Sequence, residues 1–159
     1  MGYLHGQIEE TDKLIARICG ELEQCKRLIA IPGIGPITAT ATVAAIGNGA
    51  AFKKSRGFSA WLGVVPGEHS TGGKQKLTGT SRRGNKYLRK LFVQGAHSVM
   101  LQSTKQSVGL SMWLSHLTAR KRKQVATVAL ANKMARMAWA VLFKGEAYRP
   151  PAVSQVIAA

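Results

Sequence analysis

Residues 124–143, QVATVALANKMARMAWAVLF, decide how this chain folds. Their larger apolar side chains, Val125, Leu130, Met134, Met137, Val141 and Leu142, are spread over most of a helical surface. A helix apolar on most sides belongs in a core. Its methionines and Trp139 need no cofactor to explain them. Strand signals elsewhere are few, with only Gln75–Thr80 suited to a small β-hairpin. A mainly α chain follows.

Upstream, Ser81 is placed to cap a helix running to about Ser103, with Leu88, Leu91, Phe92, Gly95 and Val99 as its apolar stripe. Arg82, Lys86, Arg89 and Lys90 lie on its other faces. Cations at a helix N-terminus oppose the helix dipole, which is tolerable when an anion also sits there. The segment before it, WLGVVPGEHSTGGKQKLTGTSRRGN (61–85), is rich in glycine and hydroxyls and carries Lys74, Lys76, Arg82 and Arg83. Such a loop, pinned between helices, brings backbone N–H groups and cations to a phosphate. Phe52, Phe58, Trp61 and Leu62 supply core anchors just ahead of it.

The turn IPGIGPITA (31–39) joins two further helical stretches. Pro32 stops one helix, Gly33 and Gly35 permit a tight turn, and Pro36 suits the first turn of the next. The turn resembles the hairpin of helix-hairpin-helix modules, whose glycine N–H groups grip a DNA phosphate; the alternative is a plain tight connection. Residues 4–29 read as one helix. Ile8, Ile15, Leu22 and Ile29 recur at sevens, interleaved with Leu4, Thr11, Ile18 and Cys25, although Thr11 and Gly20 weaken the seam. That pattern suits a coiled-coil or dimer-forming helix, or else a packing helix of the main domain. The organisation expected is a coiled-coil-like connector over 1–29, a compact domain over 30–148 containing the helix-hairpin-helix turn and one small hairpin, and a flexible tail over 149–159. Within the domain, Lys105–Gly109 reads as a linker, and Leu110, Trp113, Leu114 and Leu117 mark a short helix after it.

Charge limits the function. The 159 residues carry a formal +16, and from Lys26 to Lys144 there are twenty Lys or Arg against a single acid, Glu68. A one-signed field of this size calls for a polyanion, and nucleic acid is the leading candidate; the run Arg120–Lys123 is expected to touch phosphate too. No apolar run approaches the roughly 18–20 residues that cross a bilayer, and no secretory signal opens the chain. Cys19 and Cys25 have neither metal-knuckle nor disulfide spacing and read as core thiols of a reducing compartment, the cytoplasm. The four histidines, His5, His69, His97 and His116, are scattered.

The shortage of acids removes whole classes of enzyme. A two-metal nuclease needs three or four converging carboxylates, and a Ser-His-Asp triad would have to conscript Glu68. A phosphate-loop reading of 67–74 fails, because it needs glycine at Glu68 and a hydroxyl at Gln75. What remains is a nucleophile with electrostatic help: Ser70, with His69 or a group from another domain as base, and Lys74, Lys76, Arg82 and Arg83 to neutralise charge.

From about Leu28 to Tyr148 the chain resembles the C-terminal domain of the DEDD-type insertion-sequence transposases, the bridge-RNA-guided serine recombinases related to the Piv invertases. The resemblance rests on IPGIGPITA (31–39), WLGVVP (61–66), HSTGGK (69–74), SRRGNKYLRK (81–90) and VALANKMARMAWAVL (128–142), and the helix before them looks like the family's coiled-coil connector. It implies a serine that becomes covalently joined to DNA, acting with an N-terminal RuvC-like domain whose four acids hold magnesium. Counting back eleven residues from Ser81 places that serine at Ser70, whereas counting forward five from Pro66 reaches Thr71; both stay open. The RuvC-like half does not lie within this sequence, so alone it is expected to bind nucleic acid without completing strand exchange. The expected contacts to DNA are Gly33, Gly35, Lys74, Lys76, Arg82, Arg83, Lys86 and Arg89, with no metal ligands. Expected partners are DNA, a guide RNA and a second copy through the N-terminal helix, with no membrane, in the bacterial cytoplasm near the nucleoid. The alternative is a non-catalytic helix-hairpin-helix binding or oligomerisation module.

Overall fold

The computed structural model describes residues 2–68 and 77–150. In chain order the elements are α1 (Gly2–Glu21), α2 (Glu23–Ile29), α3 (Pro36–Ile46), α4 (Ser55–Leu62), β1 (Pro66–Glu68), β2 (Leu77–Thr80), α5 (Lys86–Leu101), a short 3₁₀ turn (Ser103–Lys105), α6 (Val108–Arg120) and α7 (Lys123–Lys144). The architecture is mainly α, as the periodicity indicated.

Helix α7 runs through the middle, and α2, α4, α5 and α6 pack around it. Its buried face alternates small and large residues. Ala126, Ala131, Ala135 and Ala138 let neighbouring backbones come close, while Leu130, Met134, Trp139 and Leu142 fill the remaining volume. Phe58 and Phe92 are fully buried, and Phe52 and Trp61 complete an aromatic cluster around them. At the far end, the Trp139 indole N–H donates to the Gly49 carbonyl at 3.0 Å and its ring stacks on Phe143. On the α6 side, the Lys133 ammonium lies 4.8 Å from the centre of the Trp113 ring; burial, followed by Arg136 nearby, pulls its pKa below the ordinary lysine value.

Two sequence expectations are corrected. The N-terminal stretch is not one helix: it breaks at Leu22, whose backbone is extended (φ −89°, ψ 116°). In a straight helix Cys19 and Cys25, six residues apart, would point roughly 120° from one another. Both are buried here and contact each other, and the break is what turns them to a common side. Both are free thiols. Burial, then the proximity of Cys19, raises Cys25 to about 11. The rest of the expected seam is uncovered, with Leu4 at 70% and Ile8 at 59% exposure.

Nor does Ser81 cap the helix that follows it. Asn85 does, its side-chain oxygen accepting the Leu88 N–H at 3.0 Å, and α5 begins at Lys86. Residues 81–85 are held elsewhere, as an irregular segment alongside 61–65. Ser81 N–H donates to Val65 O at 2.9 Å, Arg82 N–H to Gly63 O at 3.3 Å and Asn85 N–H to Trp61 O at 3.3 Å. The pairing continues into the antiparallel strands β1 and β2, with Pro66 opposite Thr80 and Glu68 opposite Leu77. The small antiparallel pair is therefore present but is not made within Gln75–Thr80: that stretch supplies one strand, and Pro66–Glu68 supplies the other.

Candidate nucleic-acid interface

The frame of the site is the clasp between 61–65 and 81–85. Gly63 (φ 75°) ends α4 in the left-handed conformation, and Gly84 (φ 107°) faces it. A Cβ on Gly84 would collide with the Trp61 carbonyl, and one on Gly63 with the Arg83 carbonyl. Only glycine lets these two backbones come so close. The clasp fixes the roots of the segment 69–76 side by side. Ser70, Thr71, Lys74 and Lys76, with His69, lie outside the described residues.

Below the clasp, Arg82, Lys86, Arg89 and Lys90 converge on one pocket of about 290 Å³ with a floor of Val64, Val93 and Val128. Lys86, Arg89, Lys90 and Val93 share a flank of α5 through their three- and four-residue spacing. Arg89 is half committed, since its guanidinium donates to the Leu62 carbonyl at 3.1 Å and so completes the C-terminus of α4. Arg82 adopts a left-handed backbone (φ 53°), unusual for a residue with a side chain and costing about 1 kcal/mol. Arg83 is exposed on the same turn without entering the pocket. Among the described residues the ion pairs are His5–Glu9 and Glu23–Lys26, both on the N-terminal helices, so none neutralises this cationic pocket.

Gly33 and Gly35 stand apart from these cations, on a flank of α5 roughly 120° round the axis from Lys86 and Lys90. Gly33 (φ 85°) is turned into the core: a Cβ there would lie 2.7 Å from the Met134 methyl and 2.8 Å from the Gly95 carbonyl. Gly35 has open space around it and precedes Pro36, the first residue of α3, which has no side-chain cap. The first helical bond is Ala39 N–H to Gly35 O at 2.9 Å, so the Ile37 and Thr38 N–H groups face outward unclaimed, as the first N–H groups of any helix do. The basic run Arg120–Lys123 is exposed where α6 gives way to α7.

Three residues at the site were not in the expected contact set. Lys90 was detectable, being four residues beyond Lys86. Thr80 was one of the hydroxyls of the loop 61–85 without being named a contact, and Asn132 carried no local signal. They border a second cavity of about 500 Å³ that adjoins the cationic pocket. Among the described residues no cluster of His, Cys, Asp or Glu could hold a metal ion. No described helix is long and apolar enough to cross a membrane.

Residues 25–109, from α2 to the start of α6, match the family model described as the IS116/IS110/IS902 transposase family. That span takes in the glycine turn, the aromatic cluster, the clasp and the cationic flank of α5. Among curated proteins, the chain is 40% identical over 154 residues to a probable family 20 transposase of Pseudomonas aeruginosa, covering 92% of this chain and 46% of that protein. It is 42% identical over 147 residues to the transposase for insertion sequence element IS1328 of Yersinia enterocolitica, covering 92% and 44%. It is 40% identical over 144 residues to the transposase for insertion sequence element IS1111A of Coxiella burnetii, covering 91% and 39%. The chain thus spans less than half the length of these relatives. With a matched family model over more than half its residues, this chain belongs to the IS116/IS110/IS902 transposase family.

Proposed function

We propose that this chain is the domain of an insertion-sequence transposase that grips DNA and supplies the hydroxyl attacking it. The supporting observation is the gathering of Arg82, Lys86, Arg89 and Lys90 into one cationic pocket at the roots of the segment bearing Ser70. In the proposed step, the Ser70 oxygen forms an ester bond to a backbone phosphorus as the bond from phosphorus to a deoxyribose oxygen breaks. The serine proton passes to a base, and the departing sugar oxygen takes up a proton. Arg82 and Lys86 meet the charge that accumulates on the phosphoryl oxygens, with Arg83, Lys74 and Lys76 extending the clamp along the strand. Thr71 is the alternative nucleophile.

The outward N–H groups at Gly35, Ile37 and Thr38 are proposed to hold a second phosphate in helix-hairpin-helix fashion. A guide RNA, a RuvC-like domain with its magnesium, and a second copy docked along the uncovered stripe of α1 complete the proposed assembly.

Mixing the chain with a RuvC-like domain, guide RNA and substrate DNA should yield a covalent protein–DNA adduct that Ser70→Ala abolishes. An adduct that survives Ser70→Ala and disappears with Thr71→Ala moves the role to Thr71. If both variants keep it, the nucleophile lies elsewhere. The outward N–H groups of α3 also support a second reading, a binding module without chemistry, which predicts salt-sensitive DNA binding and no adduct from any mixture.

A further inference from the structure

We infer that the cleft between the β-hairpin and the first half of α7 receives one unstacked DNA base, adjacent to a phosphate held by Arg82. The inference rests on the reading of DNA as partner and adds a site for a base to it.

Two cavities adjoin at this point. They share Val64, Thr80, Arg82 and Val128, and otherwise differ in chemistry. The smaller is cationic. The larger, about 500 Å³, is walled by Pro66, Val125 and Ala129 besides the shared valines, and its polar groups include the side-chain amides of Gln124 and Asn132. Apart from Arg82 it carries no charged side chain. Its volume falls within the roughly 300–1,000 Å³ typical of small-molecule pockets.

A nucleotide presents the complementary pattern: apolar ring faces, one hydrogen-bonding edge and a phosphate a bond or two of sugar away. A side-chain amide, with one donor and one acceptor, can pair with a base edge through two bonds, Asn and Gln with adenine in particular. The Asn132 amide oxygen is closed to solvent and has no hydrogen-bond partner among the described residues. A buried acceptor without a donor is costly, and the exocyclic amino group of a base would satisfy it. A paired, stacked base cannot reach such a cleft, so the occupant must be one displaced from the helix, at an unstacking cost of a few kcal/mol.

The test uses the full chain and three DNA duplexes: fully paired, with one unpaired adenine, and with an abasic residue at the unpaired position. The abasic duplex is as flexible as the adenine one and lacks only the base. Binding to the adenine duplex should be about tenfold tighter than to the abasic one, the worth of one good base contact. 2-Aminopurine in place of that adenine should change its emission on binding. Asn132→Leu and Ala129→Leu should each erase the preference while leaving affinity for the paired duplex and its salt dependence nearly unchanged. Should Ala129→Leu fail to fold by circular dichroism, Asn132→Leu carries the test. Equal affinity for the adenine and abasic duplexes, or a preference that survives the substitutions, overturns the base site while leaving the phosphate clamp standing. Loss of salt-dependent binding to all three duplexes would instead sink the reading of DNA as partner. A preference seen only when the unpaired adenine sits in an RNA strand would overturn the assignment to DNA.

Discussion

Gly33 and Gly95 meet backbone to backbone: the Gly33 carbonyl occupies the place where a Cβ on Gly95 would stand. This contact seats the α2–α3 turn against the middle of α5, with the Met134 methyl of α7 closing it from below. Three helices are brought together by two absent side chains. Gly95→Ala should therefore cost about 1–3 kcal/mol, the range for overpacking a filled site. Gly35→Ala, with open space around it, should cost less than about 1 kcal/mol. Urea unfolding midpoints of the two variants would check this, and a Gly35→Ala loss as large as that of Gly95→Ala would contradict it.

Arg82 and Arg89 should separate stability from binding. Arg89→Ala removes the hydrogen bond to the Leu62 carbonyl and should destabilise by about 1–2 kcal/mol. Arg82→Gly relieves a left-handed backbone, so stability should hold or rise by up to about 1 kcal/mol while DNA affinity falls. Thermal melts beside anisotropy titrations would show whether the two effects diverge.

Salt titrations read the clamp directly. Each cation that neutralises a phosphate contributes roughly −0.9 to the slope of log K against log salt. Lys86→Gln and Lys90→Gln should each make the slope shallower by about that amount, weakening paired duplexes of different sequence alike. Lys144→Gln, at the far end of α7, should leave the slope as it is. Unaltered slopes in the Lys86 and Lys90 variants would place the DNA on another face.

Cys25 sets a limit at alkaline pH. Its thiol holds its proton up to about 11 in the folded chain, against an ordinary value of 9.0, because burial disfavours the thiolate. Between those values the folded state binds the proton that the unfolded chain has released, so stability is whole below pH 9 and falls as pH rises toward 11. The readout is a difference that isolates this one thiol: Cys25→Ala should show a shallower loss than the parent. Parallel curves would refute it. The same burial predicts that iodoacetamide reaches Cys25 only under unfolding conditions.

The stripe on α1 is open to a direct measurement. Leu4, Ile8 and Ile18 lie on the surface of the described residues. If that stripe pairs two copies, light scattering should give a dimer mass that Ile8→Glu with Ile18→Glu lowers to that of the monomer. A monomer in the parent chain would leave the stripe to a different partner.

Local chemistry alone was enough to reveal the helical class, the core role of α7, the helix start at Pro36 and the single hairpin strand, because periodicity and proline act within a few residues. The cationic flank of α5 was legible for the same reason: Lys86, Arg89 and Lys90 are neighbours on any helix. The cap at Asn85 and the break at Leu22 were not. Ser81 is as good a cap as Asn85, and what excludes it is backbone pairing with Val65, across a loop. Leu22 lies inside an unbroken heptad, and what bends the helix there is the burial of Cys19 and Cys25 together. Asn132 belongs to the site only because α7 passes beneath Thr80, some fifty residues away in sequence. Composition by itself determined that this chain carries a formal +16 with a single acid between Lys26 and Lys144, a balance that suits a polyanion. Only the tertiary structure decided where that charge concentrates and that a neutral cleft adjoins it, because a cavity is formed by side chains from separate helices meeting in space.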